Sequence, residues 1–496
     1  MTSGAIADAP ARRSAVSGVP QRLSAALAAV RAHVVRLRGP YGVAALTFGV
    51  YLLLSIRRYQ HYQVPSWDLG IFDQAIRNLA AFHAPVSLIK GVGFNVFGDH
   101  FHPVIALLVP VYWLAPTAMS LLVVQDLLVA ASAFVVTKAA RTVVGGYSGV
   151  ALGLSYAFSW GLQEAVVAQF HEVAFALPLL AASLTALVAG RWLTCALWAL
   201  PLVLVKEDLG LTVVVIGLLV VLRSRGRQAA LGGALAAWGA AWFVVAVKVV
   251  LPAVNGQGVW DYSRQVPWGT LSDPVTVAER LVQPTEKLHT LAYILGITGF
   301  LALRSPLVLA VLPTLAWRFL SDTPAYWGRL WHYSAVLMPI VFLALIDAIR
   351  AVRARPVSSR PSLLRAYAAV AAPVCATVAV MLTINGLPVR ELVRPSFYRP
   401  DARNAAAERV LALIPAGSSV ESDAGLVTYL TDRDDVYWMG RTGNPAPQYL
   451  LVDGRNGGWP TPPSDVVAYA EQLHPGTTYV KIFDTDGYVL VERVTG

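Results

Sequence analysis

Charge is scarce in this chain: only 14% of its residues are Asp, Glu, Lys or Arg, against roughly 25% in soluble domains. With 56% hydrophobic residues and a mean hydropathy of +0.57, there is more apolar surface than a water-soluble core can hide, so lipid is the expected solvent. Cysteine is nearly absent. Cys195 and Cys375 both lie in apolar runs, which excludes a legible disulfide framework. No internal repeat is visible. No cleavable signal peptide is visible either, because the first apolar run comes late, after Arg12, Arg13, Arg22, Arg31, Arg36 and Arg38. Lysine is sparse while Ala, Val, Leu and Arg abound, a composition that suggests a GC-rich bacterium. The net charge of +10 is read as arginine retained on the cytoplasmic side of a membrane rather than as a nucleic-acid footprint.

What is present is a series of apolar runs. A spanning helix needs roughly 20 apolar residues, and the candidates are 41–57, 118–137, 147–162, 170–189, 192–205, 209–222, 229–251, 288–303, 305–320, 332–349 and 364–385. The arginines orient them. "RSRGR" at 223–227, the stretch 350–365 and the N-terminal tail are placed in the cytoplasm, which leaves 58–117, 163–171, 206–208, 252–287 and 321–331 outside. The segment "HPVIALLVPVYWLAP", 102–116, is bracketed by Pro103, Pro110 and Pro116. It is read as a helix in the outer interface, because a full crossing would put Lys138 and Arg141 outside. Trp260, Trp268, Trp327 and Trp331 suit an outer aromatic belt.

The expected architecture is therefore an α-helical polytopic membrane protein of about 11 spans. A disordered cytoplasmic tail, 1–39, precedes a transmembrane domain, 40–385, whose first outer loop is 58–117. A small α/β extracytoplasmic domain, 386–496, follows. In that last part "ARNAAAERVLALI" has helical periodicity, while "SSVES", "DVYWM", "QYLLVD", "TYVKIF" and "YVLVERV" read as strands, the last two flanking "DTDG" as a hairpin.

Polar residues interrupt the apolar chain on one side only. "SWDLGIFDQA", 66–75, and "GDHFHP", 98–103, put Asp68, Asp73, Asp99, His100 and His102 on the first outer loop. The second outer loop brings Glu164, His171 and Glu172, and the turn "VKEDLG" brings Lys206, Glu207 and Asp208. Ionisable groups at a membrane are costly and mark function, so these clusters are expected to share one outward-facing cavity. Each has a plainer reading too. Asp68 could cap the helix that follows it, Asp73 could pair with Arg77 at i,i+4, and Lys206 could reach to headgroups.

The strings "WDLGIFDQ", "GDHFHP", "FHE" and "KEDLG" resemble those of an uncharacterised bacterial membrane-protein family assigned to the GT-C superfamily of integral membrane glycosyltransferases. The resemblance spans about residues 40–350. It implies an enzyme that moves a sugar from a polyprenyl-phosphate donor to a glycan, lipid or protein acceptor of the cell envelope, inverting by single displacement, with no nucleic-acid partner. By position it makes Asp68 the catalytic base, Glu164 or Glu172 the second-loop acid, and Lys206 the donor-phosphate ligand, with Asp73, Glu207, Asp208 and His332 in support. The paired histidines depart from the superfamily pattern. With Asp68, Asp99, His100, His102, His171 and Glu172 at hand, a divalent metal such as Mg or Mn could also be held. The competing reading is a transporter or lipid flippase with an outward acidic and histidine site. It predicts mid-span acids and two-fold repetition, whereas most of the apolar runs lack mid-span acids and no repeat appears. The expected location is the bacterial plasma membrane, with the N-terminus inside and the C-terminal domain outside.

Overall fold

The computed structural model describes the chain except residues 1–18, 64–65, 261, 263–264, 266, 268, 270–271, 356–361, 401 and 495–496, and it leaves aside the side chains of 19–37. The expectations that fell on Arg12, Arg13, Trp268 and Arg360 thus lie outside the described residues. The chain is mainly helical, with a five-stranded sheet near its C-terminus. Helix α1 runs from Val19 to Gln60, so the stretch expected as a tail is helical from Val19 onward. α2, Asp68–Ala80, follows.

Five helices are long and apolar enough to cross a membrane: Arg38–Gln60, Ala118–Val144, Arg227–Val254, His332–Arg353 and Leu363–Ile384. Other expected spans are shorter apolar helices, such as Glu172–Val188, Trp192–Leu204, Leu209–Arg223 and Pro306–Leu320. Two expected spans are broken. The run 147–162 divides into helices Gly146–Ala157 and Trp160–Val167 around Ser159. The run 288–303 stops after Gly296, where Gly299 and Phe300 both take positive φ, a conformation that no helix continues through. The interfacial segment is a 3-10 turn, Pro103–Leu108, followed by a short helix, Val109–Leu114, with Leu107, Trp113 and Leu114 exposed.

The helix Leu337–Arg353 is the central pillar, buried along almost all of its length. Its one acid, Asp347, is held by Arg223 at 2.6 Å, by Arg350 at 3.1 Å and by the Ser305 hydroxyl at 2.6 Å. Arg353 donates to the Val143 carbonyl. The ends of the 118–144, 209–223 and 337–353 helices thus meet on one arginine-rich face. The opposite ends carry α2, the polar clusters and the sheet.

Helices Leu209–Arg223 and Arg227–Val245 pack through glycines. A Cβ at Gly210 would lie 2.7 Å from the Gly239 carbonyl oxygen, and one at Gly217 would lie 2.6 Å from that of Gly232. Small residues let backbones approach this closely where lipid offers no hydrophobic drive.

All five expected strands form: β1 Ser419–Ser422, β2 Asp435–Trp438, β3 Tyr449–Asp453, β4 Tyr479–Thr485 and β5 Tyr488–Arg493. Their order is β2-β1-β3-β5-β4. β1 is parallel to β2 and to β3, and β3–β5 and β5–β4 are antiparallel. β3 is buried at every residue, as expected of a central strand covered on both faces. Helix Ala402–Ala412 occupies the stretch whose periodicity is helical.

The glycine seam makes a testable demand. Gly217→Val should push the two helices apart and cost about 1–3 kcal/mol, read as a lower melting temperature and a smaller folded yield in detergent. Gly233, with no atom within 4 Å of its would-be Cβ, is the control position. Equal melting temperatures for Gly217→Val and Gly233→Val would refute the seam.

Candidate functional site

Asp68 does not cap α2. It is the first residue of the helix, the cap position is Trp67, and no side chain caps there. Its backbone N–H donates to the Ser66 hydroxyl, which in turn donates to Asp68 Oδ2 at 3.0 Å. His171 Nε2 lies 3.4 Å from the same oxygen, and the Asp68 side chain stays one-third exposed (34%). The other ring nitrogen of His171, Nδ1, sits 3.0 Å from the Gln169 carbonyl. A carbonyl only accepts, so Nδ1 carries a proton and Nε2 is the nitrogen turned to the carboxylate. Burial pushes the Asp68 carboxyl up. The hydrogen bond and charge of His171, the Ser66 hydroxyl and the Lys90 ammonium outweigh it and hold the group below the ordinary carboxylate range.

One residue beyond His171, Glu172 forms an ion pair with Lys206, Nζ lying 3.0 Å from Oε1, both side chains being nearly or fully buried. Burial alone would lower the Lys206 ammonium. Glu172, Glu207 and Asp208 reverse that and raise it, so the side chain is a firm cation. Glu207 is held by His100 Nδ1 at 2.7 Å and by the backbone N–H of Phe101 at 3.0 Å. Asp208 accepts from the Trp317 indole at 2.9 Å, and burial pushes its carboxyl up to about 6 against the pull of Lys206. Asp99 pairs with Lys90 at 3.0 Å. His332 stacks on His171 with ring centroids 3.5 Å apart, and Tyr262 stacks on His100 at 4.2 Å.

Most of the residues singled out on three loops thus come together; Glu164 and Asp73 do not. Glu164 lies on the Trp160–Val167 helix, and the charges that act on it are those of Arg329 and Arg58, not those of Asp68 and Lys206. The second-loop acid beside the cluster is Glu172. Asp99, His100, His171 and the acids Asp68, Glu172 and Glu207 are divided among separate pairs. Among the described residues no three or more His, Cys, Asp or Glu side chains are grouped so as to hold a metal ion. His102 is buried with both ring nitrogens unpartnered, and burial holds its ring down at about 4, so it is neutral at physiological pH. Lys90, Ser66, Gln169, Tyr262 and Trp317 escaped the sequence reading, since nothing in their local spacing marks them.

Asp73 and Arg77 form no pair on the helix surface. Asp73 is fully buried and accepts from the Thr431 hydroxyl at 2.7 Å, while Arg77 donates to the carbonyls of Thr431 and Asp434. Gln74 donates to the Val436 carbonyl at 2.9 Å. At Gly70 a Cβ would lie 3.3 Å from atoms of Thr428 and Thr431. Asp73, Gln74 and a glycine of "WDLGIFDQA", with Arg77 just beyond it, therefore clamp the Asp68 helix to the C-terminal sheet region.

A family model described as "Predicted membrane protein (DUF2079)" matches residues 58–490. No curated protein matches the chain. Among solved structures the chain is similar in fold to the crystal structure of ArnT from Cupriavidus metallidurans bound to undecaprenyl phosphate. The TM-score is 0.50 at 14% identity, over 92% of this chain and 98% of that chain.

The clamp carries a pH signature. Burial, opposed by the Thr431 hydroxyl and reinforced by the neighbouring Asp432, pushes the Asp73 carboxyl up to about 7, from an ordinary value of about 3.9. Between those two values the folded chain holds a proton that the unfolded chain has lost, so this group's contribution to stability falls as pH rises through the window and is flat above it. Asp73→Asn keeps an acceptor for Thr431 without the titration. Its melting temperature in nanodiscs should gain on the parent from about pH 4 to about pH 7 and keep a constant lead above that. A difference that does not change with pH would refute the assignment.

Proposed function

The chain belongs to the DUF2079 family of predicted membrane proteins, and from that premise we propose that it is a membrane glycosyltransferase. In this reading it takes a sugar from a polyprenyl-phosphate donor and delivers it to a cell-envelope acceptor at the outer face of the bacterial plasma membrane. The observation that carries it is the juxtaposition of a partly exposed carboxylate, Asp68–His171, with a buried cation, Lys206–Glu172, on adjacent residues of one segment. The fold shared with ArnT, a GT-C glycosyltransferase whose structure was determined with undecaprenyl phosphate bound, supports a polyprenyl-linked donor.

The chemistry follows from the charges. An acceptor hydroxyl attacks the anomeric carbon as Asp68 takes its proton, and the lipid phosphate leaves from the opposite face, so the configuration inverts. A carboxylate held below its ordinary range is ionised at neutral pH but weakly basic. His171, 3.4 Å away, stabilises the charge and orients the oxygen. The departing phosphate gains charge in a low-dielectric setting, where a fixed ammonium acts most strongly. Lys206, whose ammonium carries three N–H donors, supplies it while keeping its hold on Glu172. In this reading neutral His102, whose two buried ring nitrogens are unpartnered, turns one of them to a sugar hydroxyl when the donor binds. Glu207, Asp208 and Asp99 hold His100, Trp317 and Lys90 in place.

Because Asp68 caps nothing, Asp68→Asn should leave the melting temperature close to that of the parent while lowering sugar transfer about 10²–10⁴-fold, the range for losing a general base. The measurement is transfer from a polyprenyl-phosphate sugar by the purified full chain in nanodiscs. Near-normal turnover by Asp68→Asn would remove the assignment. A third outcome, intact stability with transfer restored by Asp68→Glu, would support it further.

A further inference from the structure

A cavity of about 350 Å³ lies apart from the Asp68 cluster, where three elements meet. They are the end of α1 with the turn after it (His61, Tyr62, Gln63), the 388–404 connection, and the edge of the sheet (Asn456, Tyr488). Its place is informative. The chain runs from β1 to β2 on one side of β1 and then to β3 on the other, so the order of parallel strands reverses at β1. In open α/β sheets, ligands bind in the crevice outside the carboxyl ends of the strands at such a reversal. Asn456 follows the carboxyl end of β3, and Tyr488 pairs across from Asp453, the last residue of β3.

The lining is built for a sugar. Phe397 is stacked on the His61 ring at 6.2 Å and 20°, and with Tyr62 and Tyr488 it offers aromatic faces. Such faces cover the C–H side of a pyranose, and the amides of Gln63 and Asn456 both donate and accept, as ring hydroxyls require. The cavity's charge is positive. Glu391, its one acid, is consumed by Arg58 Nη1, which reaches both carboxylate oxygens at 2.9 Å. Arg403 is consumed too: it binds the Asp453 carboxylate and the Asp486 carbonyl and lies 4.3 Å over the Tyr488 ring. Arg394 and Arg399 also line the cavity, are exposed, and enter no ion pair among the described residues. Two uncommitted guanidinium forks suit a carboxylate or a phosphate ester. The volume is at the small end of ligand sites, room for about one or two sugar units.

We propose that this cavity binds an acidic saccharide, a sugar unit bearing a carboxylate or a phosphate. A lipid headgroup shares the anionic chemistry but has less use for aromatic faces and paired amides. Binding is measured on the full chain in phosphatidylcholine nanodiscs, with labelled digalacturonate as the carboxylate probe and labelled mannose 6-phosphate as the phosphate probe, and with no sugar donor present. At least one probe should bind saturably. Arg394→Gln/Arg399→Gln should weaken it about tenfold or more, and Asn456→Asp, which adds a negative charge at an exposed position, should weaken it too, both without a change in melting temperature. Unchanged affinity in both variants, or no saturable binding of either probe, would overturn the proposal. So would full competition by phosphatidylglycerol placed in the nanodisc, which would assign the arginines to a lipid headgroup. The assay contains no transfer step, so its failure leaves the Asp68 reading standing, and an active Asp68→Asn would leave this one standing.

Discussion

The structure turns on the ion pair between Lys206 and Glu172. Each charge would be costly alone at the edge of an apolar bundle, and breaking a buried pair leaves the surviving partner uncompensated at a cost of several kcal/mol. The pair ties the turn before the Leu209–Arg223 helix to the segment that leads into the Ala176–Val188 helix. Around it the other charges fall into order: Glu207 turns to His100, Asp208 to Trp317, and His171, the neighbour of Glu172, to Asp68. Three segments far apart in sequence are held at one place by charges that each need a partner.

The second constraint is the clamp between α2 and the sheet region. Asp73, Gln74 and Arg77 reach acceptors and donors between Thr431 and Val436, and Trp67 meets Trp438 with ring centroids 4.2 Å apart. Asp68 is thus oriented from two directions, by the bundle through His171 and by the sheet through the helix it begins.

Much of this was legible beforehand. Arginines at 223, 350 and 353 marked one set of helix ends, and their contacts with Asp347 and Val143 bring those ends together. The five strands were legible because alternation and turn residues are local signals. The acids and histidines stood out because their surroundings are apolar. What local pattern could not carry was pairing. Asp73 and Arg77, four apart on one helix, look like partners until a third element, more than 350 positions on in the chain, offers each a better one. Nothing in the local sequence marks Gly70 and Gly210. Both are sites of close approach, the first against Thr428 and Thr431, the second against Gly239. Glu164 and Glu172 were indistinguishable as second-loop acids, and which of them meets Lys206 depends on the break in the chain around Gln169, whose φ is positive.

The glycine seam between the 209–223 and 227–245 helices has a mechanical corollary. Lys206 sits at the head of a tightly fused two-helix rod, where backbone touches backbone and little sliding is tolerated. Asp68 rides instead on a thirteen-residue helix whose polar side chains grip the sheet region. The two walls of the site therefore differ in compliance. Any widening of the gap between the Asp68 carboxylate and the Lys206 ammonium would be taken up on the Asp68 side, and the sheet region, through its grip on α2, would act as the lever that sets its width.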